Sequence, residues 1–116
     1  RGASLEARDK NGDTPLHIAC SAGNMEVVRV LLNRGADLEA MNNMGCRPLH
    51  FAALDDWSKV ARLLLDRGAV VDAMTLARTT PLSFACQKGH EEIVWLLVKR
   101  CPWLVDGQAY KKKVEI

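Results

Sequence analysis

Thr14-Pro15-Leu16-His17 decides how the rest of the chain is read, because the tetrapeptide returns twice. The copies are Arg47-Pro48-Leu49-His50 and Thr80-Pro81-Leu82-Ser83, which puts the prolines at 15, 48 and 81, a spacing of 33 each time. Each copy continues into small and apolar residues: Ile18-Ala19-Cys20, Phe51-Ala52-Ala53 and Phe84-Ala85-Cys86. The residue types suit the start of a helix. A threonine hydroxyl accepts from an orphan N–H of the first turn. Proline fits the first helical position, where its missing N–H costs nothing and φ is already set. The leucine opens an apolar face. Arg47 cannot cap as Thr14 and Thr80 do, at a cost of about 0.5–2 kcal/mol unless another residue substitutes.

A fixed period opening on T-P-L-H resembles the ankyrin repeat. The resemblance covers residues 1 to about 107 and implies an all-α fold, an ankyrin-repeat solenoid of stacked helix-turn-helix units with projecting hairpin-like loops. Residues 1–8 read as the tail of a preceding unit, 9–41, 42–74 and 75–107 as three repeats, and 108–116 as a basic tail. Arg1-Gly2-Ala3 is in phase with Arg34-Gly35-Ala36 and Arg67-Gly68-Ala69. On that phase the chain is expected to be a monomeric piece of a longer array, with Leu16 and the Val27/Leu31 region left partly uncovered. The resemblance also implies that His17 and His50 hydrogen-bond to the capping threonine or to loop backbone. Ser83 replaces the third histidine and makes only part of that network.

Outward from the tetrapeptides, each unit has a predictable plan. The first helix is expected at about 15–22, ended by Gly23 in the left-handed conformation. Asn24 is placed to cap a second helix at about 25–33, with Val27, Val28, Val30, Leu31 and Leu32 on a broad apolar face. In the second unit Asp56 stands where Gly23 does, a tolerable exchange because aspartate visits that conformation. Trp57 takes the place of Asn24 and His90; it is either packing filler or a contact. In the third unit Arg78 replaces the loop glycine. Trp95 occupies an outward position and Trp103 that of Asp37, so they either cap the array or form an interface.

The chain has 116 residues, 48% of them apolar and 5% aromatic, and a formal charge of +2. That composition supports a core of small repeats and argues against disorder. The low, interspersed charge gives no reason for a specific nucleic-acid partner. No apolar stretch approaches the ~20 residues of a membrane span. Of the four cysteines, Cys20 and Cys86 hold equivalent positions two units apart. At ~8–10 Å per helix layer they stand on the order of 20 Å apart, beyond the ~7 Å that a disulfide allows. Reduced thiols and an intracellular site, cytoplasmic or nuclear, are therefore expected.

In the family the loops form a row of fingers and the first helices line a groove, where partners bind through positions outside the shared framework. Carried over by position, repeat two offers Met41, Asn43, Met44, Cys46, Leu54 and Asp55, with Trp57 as a rim anchor. Repeat three offers Met74, Leu76, Ala77, Thr79, Gln87 and Lys88. So many apolar residues at displayed positions predict a docking patch for a partly apolar protein or peptide segment, with methionine supplying adaptability. The competing expectation is that the methionines fold back between fingers. The family's loop asparagine, a site of hydroxylation, is replaced by Glu6, Glu39 and Asp72. No nucleophile elbow, P-loop or metal-ligand spacing occurs, so no catalytic, metal or cofactor role is expected. The reading is a scaffold or adaptor module; the alternative is a substrate-positioning or regulatory segment of a larger enzyme such as a kinase or transferase.

Overall fold

The computed structural model describes residues 4–101. Among them are six helices and no strands: α1 (Pro15–Ala22), α2 (Met25–Asn33), α3 (Pro48–Leu54), α4 (Ser58–Asp66), α5 (Pro81–Lys88) and α6 (Glu91–Arg100). They pair as α1/α2, α3/α4 and α5/α6, and α1, α3 and α5 stack in order. We call the pairs with their loops units 1, 2 and 3. Trp103, Pro102 and the basic tail lie outside the described residues.

Helix starts follow the tetrapeptide. Thr14 and Thr80 each accept from the N–H three residues on, at His17 and Ser83. Arg47 makes no such bond. Its guanidinium turns instead to Glu39, 3.1 Å away, while the first turn of α3 closes by His50 N–H donating to the Arg47 carbonyl at 2.9 Å. Gly23 and Gly89 end α1 and α5 at φ 70 and 73. Asp56 holds the same conformation at φ 63 and Arg78 at φ 65, each a non-glycine residue at modest strain.

One core runs through all three units. Leu16, Leu49 and Leu82 occupy it, with Val60, Leu64, Ile93 and Leu97 from the second helices and alanines from all three units. Cys20 fills the small position that Ala53 and Ala85's neighbour Cys86 hold in the other units; Cys20, Cys46 and Cys101 are free. The expectation that Leu16 lies partly uncovered is corrected: it is 1% exposed. Unit 1 has no described helix pair before it, so this leucine is covered from within its own pair and by unit 2. Val27 is exposed and Leu31 half-buried, as expected.

Candidate functional site: the finger ridge

The fingers are bound to one another by backbone. Asn43 N–H donates to the Asn11 carbonyl and Leu76 N–H to the Met44 carbonyl, both at 3.0 Å. The approach is close enough that a Cβ on Gly45 would lie 2.7 Å from the Leu76 nitrogen, so only glycine fits. Histidines tie each first helix to the next finger. Thr14 N–H donates to His17 Nδ1 at 3.0 Å. His17 Nε2 lies 2.8 Å from the Cys46 carbonyl. A carbonyl only accepts, so Nε2 carries the proton and the ring is neutral. His50 repeats this: it accepts from Arg47 N–H at 2.9 Å and donates to the Ala73 and Thr79 carbonyls at 2.9 and 3.2 Å. Burial, only partly offset by those two carbonyls, pushes the His50 pKa below its ordinary value.

These bonds sort the sequence-predicted residues. Asn43 is spent on the joint between fingers, its side chain donating to the Lys10 carbonyl at 3.0 Å. Cys46 is half-buried; burial and then the Asp13 charge push its thiol pKa up. Thr79 closes the third finger, its carbonyl accepting from Thr75 N–H at 3.0 Å. Asp55 accepts from the Ser21 hydroxyl at 3.0 Å. Leu54 is half-buried. Trp57 packs flat on Gly23 and donates its indole N–H to the Ser21 carbonyl at 2.7 Å, which fills the helix-start position with a link between units. His90, at the equivalent position, donates from Nδ1 to the Ala53 carbonyl at 3.0 Å.

What remains turned outward is apolar along the fingers. Leu76 is 76% exposed and Met44 64%, side by side across the joint, with Met41 and Met74 each at least half exposed. The methionines do not fold back between fingers. Ala77, Gln87 and Lys88 are also exposed.

A family model described as Ankyrin repeats (3 copies) matches residues 1–75, and one described as Ankyrin repeat matches residues 78–106. The chain belongs to the ankyrin-repeat family. No curated protein matches it. Ankyrin repeats are generally protein–protein interaction modules. In this ankyrin array the sequence named the display positions but missed how many of them its own framework uses. It also missed Glu39, whose carboxylate accepts from Arg47 and, at 2.8 Å, from Val70 N–H. Glu6 does the same for Asp37 N–H at 2.9 Å. The only sequence signal was an acidic residue recurring where the family has asparagine.

Away from the fingers, a cleft of about 450 Å³ is lined by Arg62, Glu91, Glu92, Trp95, Leu96 and Lys99. Trp95 is exposed and the Lys99 ammonium sits 4.8 Å from its ring centroid. Among the described residues no cluster of His, Cys, Asp and Glu is placed to hold a metal ion, and no helix is long and apolar enough to cross a membrane.

Proposed function

We propose that the chain recognises a partner protein through the ridge of fingers 2 and 3, docking an extended, partly apolar segment along Met41, Met44, Met74 and Leu76, without making or breaking a covalent bond. The observation that carries this is Leu76 beside Met44, both mostly in solvent, at the joint closed by the Leu76 N–H bond to the Met44 carbonyl. An apolar pair on a fixed platform offers contact area with little ordering cost. Methionine adapts its shape to the guest. Lys10 on finger 1 and Arg78 on finger 3 are exposed and favour a guest with acidic residues outside its apolar stretch. The free thiols of Cys20, Cys46 and Cys101 support placing the module in a reducing compartment.

Selection of displayed random peptides on the chain tests this, with counter-selection on Met44→Ser/Leu76→Ser. Apolar-centred peptides should enrich and lose at least about tenfold in affinity, roughly 1.4 kcal/mol, on the double variant. Peptides that bind both proteins equally would overturn the reading.

A further inference from the structure

Arg29, Arg62 and Trp95 hold one position in the second helix of units 1, 2 and 3. That position faces outward even where a unit follows: Arg62 is exposed with α6 packed beside α4, and the Arg29 side chain is 43% exposed with α4 beside α2. In unit 3 an indole therefore replaces a guanidinium on a surface that the stacking of units leaves in water, and Trp95 is 64% exposed. Tryptophan favours substantial burial. The cleft of about 450 Å³ opens beside it, between Arg62 on α4 and Glu91, Glu92, Leu96 and Lys99 on α6.

The exchange also leaves charge without a partner. In unit 1 Glu26 meets Arg29 one turn on, at 3.4 Å. Glu92 stands where Glu26 does, but Trp95 takes the arginine's place. Among the described residues Glu91, Glu92 and Arg62 make no ion pair. Lys99 turns onto the indole, its ammonium 4.8 Å from the ring centroid. The exposed face of α6 thus runs from an acidic pair, through the tryptophan, to a lysine. Acidic residues at a helix start and a lysine at its end also complement the macrodipole, which accounts for the charges and not for the tryptophan between them.

We propose that two copies of the chain pair through this face, α6 lying antiparallel against α6, where the sequence alone predicts a monomer. The pattern is complementary to itself, as a two-fold interface requires. Trp95 and Leu96 are the two central positions between Glu92 and Lys99. Reversing one helix about that midpoint sets Glu92 of each copy against Lys99 of the other, the two ion pairs about 10 Å apart along the axis. A parallel pairing sets like charge on like charge. In the antiparallel one each indole enters the cleft of the other copy, against Leu96 and toward the Arg62 guanidinium, which suits an aromatic face. The contact is one helix face per copy, smaller than a standard interface, so the dimer is a weak one. The finger ridge takes no part, so pairing and guest binding are separable.

Sedimentation of the full chain over a series of loading concentrations tests this, and a reversible monomer–dimer equilibrium is the expected result. Glu92→Lys and Lys99→Glu should each weaken association by at least about tenfold, because like charges then face one another. The double variant Glu92→Lys/Lys99→Glu should recover it. So should an equal mixture of the two single variants, in which opposite charges meet again across the pair. Trp95→Asp should abolish pairing. All three positions are exposed, so the circular dichroism of each variant should match that of the parent. Met44→Ser/Leu76→Ser should leave the dimer intact. A chain that stays monomeric at every concentration would overturn the proposal, as would a dimer that survives both single reversals and Trp95→Asp, or one lost on the Met44/Leu76 exchange. Failure of both the double variant and the mixture to recover pairing would overturn the antiparallel register.

Discussion

Trp57 lies flat against Gly23: a Cβ placed on that glycine would fall within 2.6 Å of three atoms of the indole ring. Gly23 also needs φ 70 to end α1. Gly23→Ala therefore carries two costs, about 1–2 kcal/mol of left-handed strain and about 1–3 kcal/mol of overpacking. Gly89→Ala has the same backbone demand, at φ 73, with nothing within 4 Å of the new Cβ. Urea unfolding of the two variants should differ by the overpacking contribution alone. Equal losses would mean that the ring moves aside freely.

His50 gives stability a dependence on pH. The folded ring is neutral, and its pKa is held below the ordinary 6.5 by burial. The unfolded chain therefore takes up a proton first as pH falls. Stability from this residue is complete above about pH 6.5 and drains away as pH drops toward the lower folded value. Denaturation midpoints at pH 7.5 and 5.5 should show the loss, and His50→Gln should shrink it.

Arg47→Thr should stabilise the protein. The arginine leaves the start of α3 without a side-chain cap and keeps a buried Nε with no partner. A threonine adds the cap and removes the orphan donor. The Glu39 ion pair that is lost is partly exposed, with side chains at 25% and 30%, and is worth little. The net gain is on the order of 1 kcal/mol, readable as a higher urea midpoint.

Cys20 should be inert. Its side chain is fully buried and burial pushes its pKa to about 12. A water-soluble disulfide reagent at pH 8 should leave it unmodified in the folded chain and modify it on denaturation, as peptide mapping would report.

The helical scaffold was legible because its signals are local. Proline at the first turn and Gly23 after the last fix α1 at Pro15–Ala22, and the Asn24 cap with Gly35 just past the end fixes α2 at Met25–Asn33, the bounds expected from the sequence. The left-handed role of Asp56 also followed from position. The binding surface was less legible, because exposure is decided by partners on other units. Asn43, Cys46 and Thr79 look free in one dimension, yet each bonds within the loops or to a neighbouring finger. Trp57 had no cap to make, and nothing in its own unit announces Gly23 as its seat. Leu16 was misjudged for the same reason: its cover comes from within its pair and from the unit after it.

The seam between units 2 and 3 holds one further consequence. The Met44 carbonyl and the Leu76 N–H form part of what keeps those units together, and their side chains are the ones offered to a guest. A peptide lying across both would act as a clasp, bridging the two halves it touches. By mass action such a guest makes separation of the third unit harder in proportion to its concentration, so ligand occupancy and mechanical cohesion of the array become a single equilibrium.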